Sequence, residues 1–212
     1  MMQFPKNTLR LADDFGRLQE NIDRVHKELV KSNRTCRRYD GTKSITRQDL
    51  LDLVDLVRYA PCGKNKQALR FFLSADEETN AKIFANIFWA GFLKDWDGPI
   101  EGERPGGYIL VFDENDGRAM TEDIGIAGQT IALGARAEGK AVCIFKAYKE
   151  KEIKEALGLD DNLNLLLVVS VGYPLEEVVI DDIRLGEDSK YYRDKDQVHH
   201  VPKILTEDLI IK

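Results

Sequence analysis

A long apolar run, LNLLLVVSVGYP across residues 163–174, limits what this chain can fold into more than any other stretch. It is rich in Val and Leu, has no alternation with polar residues, and ends at a proline. That is the pattern of a strand covered on both faces. YILVFD (108–113) reads the same way, and LRFFLSA (69–75) and AVCIF (141–145) are shorter strands of the same kind. A sheet of such strands needs helices on both sides, so the chain must supply them in the intervening segments.

It does. Phe15, Leu18, Ile22, Val25 and Leu29 alternate at spacings of three and four, which predicts an amphipathic helix over residues 13–31 that faces either the core or a partner chain. ITRQDLLDLVDLVRYAP predicts a second helix, opened by a capping-box pair, Thr46 and Asp49, and stopped by Pro61. Asp76 opens a third, carrying Ile83, Phe84, Ile87 and Phe88. AMTEDIGIAGQTIALGARAEG is a long helix whose Gly and Ala residues permit close packing on more than one side, and KEKEIKEALGL is a helix closed by Gly158. Residues 175–199 read as a charged, irregular arm, and ILTEDLIIK as a terminal strand. The order is α-α-β-α-β-α-β-α-β-tail, an α+β domain with a mixed central sheet flanked by helices.

A chain of 212 residues supports one sizeable core, and 43% hydrophobic with 32% charged residues excludes disorder. No apolar run reaches membrane-spanning length, and the start MMQFPKNTLR lacks a secretory core, which implies a cytoplasmic protein without membrane contact. Cys36, Cys62 and Cys143 form neither a disulfide framework nor a metal-binding pair. A net charge of −6 disfavours broad contact with nucleic acid, although it leaves room for a local anion site.

The segment KSNRTCRRYD (31–40) holds Arg34, Arg37 and Arg38 within five positions. A planar guanidinium suits bidentate capture of phosphate, and Thr35 adds a hydroxyl. The other reading is a solvated basic face, or pairing with nearby acids. GARAEGKA (134–141) mimics a phosphate loop but has Ala141 where a metal-binding hydroxyl is required and runs from helix to strand, so it is not one. His199 and His200 are adjacent and lack companions at ligand spacing, so no metal site is expected. Cys62 has no histidine near it in sequence and reads as an ordinary thiol beside a binding site rather than a nucleophile. The irregular stretch 89–107, with Trp89, Phe92 and Trp96, suits a substrate wall or, equally, core aromatics that anchor a loop. No acid/base pair or nucleophile stands out, which fits chemistry carried by a bound cofactor.

Five stretches, in order, resemble the FMN-dependent nitroreductase family: NRTCRRY, APCGKNKQA, DIGIAGQ, EGKAVCIFK and VVSVGYP, covering the chain from about Leu29 onward. The resemblance implies an intertwined α+β homodimer with FMN at the subunit interface, and a helical extension over residues 1–28 ahead of a flavin domain over 29–212. It implies that Asn33, Arg34, Thr35 and Arg37 hold the phosphate, ribityl chain and polar ring edge. Pro61, Cys62, Gly63 and Asn65 would line the flavin from the partner chain, the backbone at Phe145 and Lys146 would face the ring, and His200 and Lys203 would complete the phosphate site. Asn33 stands where the family has arginine, Cys62-Gly63 where it has a hydroxyl pair, and Lys146 where it has glycine. The implied activity is NADH- or NADPH-driven reduction of an electron-poor acceptor such as a nitroaromatic or quinone, by alternating hydride transfers. The rival is a non-catalytic flavin-binding or redox-sensing module.

Overall fold

The computed structural model describes residues 21–114 and 119–211. The chain divides into two units, Met1–Asn33 and Arg34–Lys212. Within the first, residues 21–32 form helix α1, on which Ile22 and Val25 are exposed; Phe15 and Leu18 of the expected stripe lie outside the described residues.

The second unit is built on an antiparallel sheet of four strands, β1 (Arg70–Ser74), β2 (Gly107–Asp113), β3 (Ala141–Phe145) and β4 (Asn164–Gly172), in the order β1-β2-β4-β3. The apolar run β4 therefore sits inside the sheet. Alternation along β2 shows why residues 108–112 are all aromatic or aliphatic. Tyr108, Leu110 and Phe112 enter one core with Ile83, Ile153 and Val168, while Ile109 and Val111 enter another with Leu50, Leu53, Ile131 and Val169. Each core lies on its own face of the sheet.

Helices α3 (Glu77–Phe84) and α5 (Glu150–Leu157) contribute to the first core, α2 (Arg47–Arg58) and α4 (Thr121–Ala137) to the second. The small residues of α4 serve as the sequence implies. Leu56 Cδ1 lies 2.5 Å from where a Cβ on Gly134 would stand, so α2 packs directly onto this backbone. Local signals set the helix ends. Thr46 and Asp49 form a reciprocal capping box, Asp76 caps α3, and Gly158 adopts a left-handed conformation (φ 63°) after α5.

Three expectations change. Helix α3 ends at Phe84, before Ile87 and Phe88; Asn86 turns its side-chain amide back to the Lys82 carbonyl, Ile87 bridges to Tyr148, and Phe88 bonds Ala147. The arm after Pro174 is not irregular. It forms a second sheet of β5 (Val178–Ile183), β6 (Tyr192–Arg193) and β7 (His199–Ile204), ordered β5-β7-β6, with β5 and β7 parallel. The terminal strand is thus HHVPKI, and part of the stretch taken for it forms the short helix α6 (Thr206–Leu209). Among the described residues no helix is long and apolar enough to cross a membrane.

Candidate functional site

Residues 34–40 run as an extended strip beside the edge strand β3. Thr35 bridges to Val142 in parallel register, and the Cys36 N–H donates to the Val142 carbonyl at 2.9 Å. Farther along, Asp40 N–H bonds the Tyr173 carbonyl and Leu175 N–H bonds the Arg38 carbonyl, so the strip is clamped to the end of the GYP motif. Tyr39 is fully buried at that junction, its hydroxyl bonded to the Cys36 carbonyl at 2.6 Å and to Ser170 at 2.7 Å.

The three arginines meet different fates. Arg38 holds Glu103 bidentately at 2.6 and 2.7 Å, tying the irregular 89–107 segment to the strip. This is the pairing-with-acids reading of the cluster. The Arg37 guanidinium lies 4.6 Å over the Tyr191 ring and donates through Nη1 to His199 Nε2 at 3.2 Å. Its backbone N–H donates to Glu176, whose second oxygen accepts from Arg193 at 3.0 Å. Arg193 in turn lies 4.7 Å over Trp96. Arg34 is half-buried and Thr35 exposed, whereas Asn33 closes the first unit with its N–H on the Leu29 carbonyl.

This cluster has a charge surplus. Arg193 pairs with the wholly buried Glu176, whereas the Arg37 guanidinium, turned to His199 and the Tyr191 ring, has no carboxylate partner among the described residues. His199 adds no charge, because burial, helped by Arg37, Arg193 and His200, pushes its pKa down to about 4. With Arg37 donating to Nε2, the proton of the neutral ring sits on Nδ1. That atom and Arg193 Nε are buried without hydrogen-bond partners among the described residues. Two unmet N–H donors beside a net positive charge fit an anionic, acceptor-rich group.

It is His199, not His200, that meets Arg37. His200 is occupied by Asp181 at 2.9 Å and Asp194 at 3.4 Å and stacks on Tyr192. Burial alone would lower its pKa, but the two carboxylates outweigh that and raise it. Lys203 is exposed on β7, opposite Asp182 of β5. Residue spacing missed Glu176, Tyr191, Arg193 and His199 as partners of the arginine strip; the charge of the arm was their only signal.

Trp89 is 8% exposed and packs edge-on against Phe145 at 4.8 Å, so it anchors the loop from within the core rather than lining an open wall. Trp96 is partly buried beneath Arg193, and Phe92 is exposed against Tyr191 at 5.0 Å. Phe145 ends β3 buried, and Lys146 turns its Nζ to the Leu166 carbonyl at 2.8 Å, toward β4.

The loop Pro61–Asn65 is organised by α4. Asp123, buried near the start of that helix, accepts from the Gly63 N–H at 2.8 Å and from the Cys62 thiol at 3.5 Å, and Cys62 Sγ accepts the Gln67 N–H at 3.2 Å. Lys64, Asn65 and Gln67 all hold positive φ near 50°, a conformation that non-glycine residues keep only when their surroundings impose it. The Cys62 sulfur thus both donates to Asp123 and accepts from Gln67. Asp123, within the DIGIAGQ motif, is the positioning residue that spacing did not single out.

The loop leads into β1 and the arginine strip runs beside β3, and these strands are the opposite edges of the sheet, three strand spacings or about 14 Å apart. Within one chain the two halves of the expected site thus stand at opposite edges of the sheet.

Comparison with known proteins supports the same fold. A Bacillus subtilis protein provisionally named an NAD(P)H nitroreductase is 26% identical over 169 residues, 72% of this chain and 86% of its own length. A crystal structure of a nitroreductase family protein from Clostridium novyi NT superposes with a TM-score of 0.59 at 25% identity, over 70% of this chain and 84% of the other. One from Exiguobacterium sibiricum, provisionally named a nitroreductase and solved in complex with FMN, gives 0.58 at 20% identity, over 71% and 88%. The nitroreductase family model itself matches residues 30–173, spanning the arginine strip, the Cys62 loop, α4 and the whole four-stranded sheet, and this chain belongs to the nitroreductase family.

Proposed function

We propose that the protein is an FMN-dependent oxidoreductase that works as a homodimer, with each flavin site assembled from two chains. The observation that carries the reading is the cluster of Arg37, Arg193, Glu176 and His199, with its surplus positive charge and two unmet donors. When bound there, FMN would accept a hydride from NADH or NADPH and pass it to an electron-poor acceptor such as a nitroaromatic or quinone.

The chain's own residues supply binding and orientation. Arg34, Thr35 and Arg37, with Arg193 and His199 in place of His200 and Lys203, hold the anionic and polar groups of the cofactor. A cation at the polar ring edge stabilises the anionic reduced form. The backbone of Phe145 and Lys146 faces the ring, and a second copy of the chain contributes Pro61, Cys62, Gly63 and Asn65. Asp123 fixes that loop's shape through Gly63 and Cys62. Phe92 and the exposed part of Trp96 remain as wall for the acceptor. The Lys146 Nζ bond to the Leu166 carbonyl draws that side chain toward β4, which supports turnover over a purely flavin-binding module.

The test is a visible spectrum of the purified protein after incubation with FMN and desalting, followed by anaerobic NADH and then NADPH. Retained flavin that bleaches with either nucleotide, and recovers on adding a quinone, is the expected result. Retained flavin that neither nucleotide bleaches would identify the binding module. A colourless protein would overturn the flavin reading.

A further inference from the structure

A cavity of about 410 Å³ opens between the chain around Gly41–Ile45, helix α3 and residues 101–106. None of the residues proposed for the flavin lines it. Its walls are fixed by contacts already described in part. Gly41 N–H bonds the Gly102 carbonyl at 2.9 Å, and a Cβ on Gly41 would lie 2.3 Å from that oxygen, so the two segments touch backbone to backbone. Arg38 holds the adjoining Glu103. The cavity is therefore pre-formed.

Two features of its lining are unexplained by the fold. Tyr108 is 1% exposed, and its hydroxyl has no hydrogen-bond partner among the described residues. A buried hydroxyl is ordinarily bonded, and one that is not marks a place where a partner is missing. Arg104 lies 4.4 Å over the Phe84 ring and enters no ion pair among the described residues. It is close enough to act electrostatically on the Tyr108 hydroxyl. A planar guanidinium and a hydroxyl donor together suit an oxyanion such as a carboxylate.

The rest of the lining narrows the ligand. Glu77 and Glu101 set two negative charges against those of Arg104 and Lys43, and Lys43 is already paired with Asp40 at 3.2 Å. A phosphate or dicarboxylate meets repulsion there, and a simple cation meets Arg104. Ile45, Ala81 and Phe84 add apolar wall. We propose that this cavity binds a free amino acid or a similarly small zwitterion, its carboxylate on Arg104 and the Tyr108 hydroxyl and its ammonium toward Glu77 and Glu101.

The full chain tests this. The twenty free amino acids are screened at millimolar concentration by thermal shift, and the best is titrated calorimetrically beside its deaminated analogue and inorganic phosphate. Saturable binding is expected from at least one amino acid, weaker from the deaminated acid, and absent from phosphate. Arg104→Gln should weaken it about tenfold or more, the scale of a lost charge-assisted hydrogen bond. Tyr108→Phe should weaken it severalfold while leaving the free protein as stable as the parent, since its hydroxyl gives up no bond; this variant decides the matter if Arg104→Gln fails to fold. No saturable binding by any amino acid would overturn the proposal, as would binding indifferent to Tyr108→Phe. Phosphate binding as tightly as the amino acid would do the same, by making this a plain anion site.

Discussion

Gly172 lets Tyr39 sit where it does. A Cβ there would stand 2.6 Å from Tyr39 Cδ1, so the glycine of the GYP motif is required for space. Gly172→Ala should cost about 1–3 kcal/mol, the usual penalty for overpacking a filled core, read from urea denaturation. His199 carries a second prediction. Its folded pKa, about 4, lies below the ordinary 6.5, so the folded state binds fewer protons than the unfolded chain between those values. Stability from this residue is complete above pH 6.5 and is lost as pH falls toward 4. His200, raised by Asp181 and Asp194, has the opposite sign and stabilises most below its ordinary value, losing that as pH rises through the folded one. His199→Asn should flatten the acid limb of a urea-midpoint profile and leave the His200 limb in place; an unchanged acid limb would show that the ring is not held neutral. The arginines show why the residue scale was half legible. Three in five positions signalled a charged task, but Glu103 lies 65 positions from Arg38 and Glu176 lies 139 from Arg37, and no local pattern announces partners at such separations.

Helices and strands with local signals were the legible elements. A capping box, an Asp cap and a left-handed glycine each act within four residues, and the doubly buried strands announce themselves by composition. Helix α2 offers the direct check. Thr46→Ala removes the side chain that accepts the Asp49 N–H, and should cost about 1 kcal/mol of unfolding free energy. Asp49 does more than cap, since Lys140, its side chain 5% exposed, pairs with it at 2.9 Å. Burial alone would raise the Asp49 pKa, but Thr46 and Lys140 together hold it down at about 2. Its contribution is thus present above pH 3.8 and fades only as pH falls toward 2. Asp49→Asn should therefore cost more than Thr46→Ala at neutral pH and converge with it in strong acid. The elements that were missed are those held by distant pairing. Strand β5 contains Asp181 and Asp182 and shows little apolar alternation; it is a strand because β7, some twenty residues on, lies parallel beside it. Helix α3 stops where Ile87 finds Tyr148, not where its apolar spacing runs out.

At the scale of the molecule the question is how two sheet edges form one site. The arginine strip lies along β3 and the Cys62 loop runs into β1, the opposite edge, and in the proposed homodimer a second chain brings its loop to the first chain's strip. Mixed dimers test this. Arg34→Glu places a negative charge in the strip. Asn65→Asp places one in the loop with almost no change of shape, and Asp, like Asn, tolerates the positive φ of 51° held there. Each variant alone should bind little FMN, because every site in its homodimer carries one lesion. In a mixed dimer of the two, both lesions fall in the same site and the other site is intact. Co-expressed, doubly tagged mixed dimers should then retain about one flavin per two chains and recover about half the parent activity per dimer. A site contained within one chain gives the contrary result, since both sites of the mixed dimer would then carry a lesion and flavin would stay as low as in either homodimer. That outcome would place the strip and the loop of one chain in the same site and overturn the two-chain assembly.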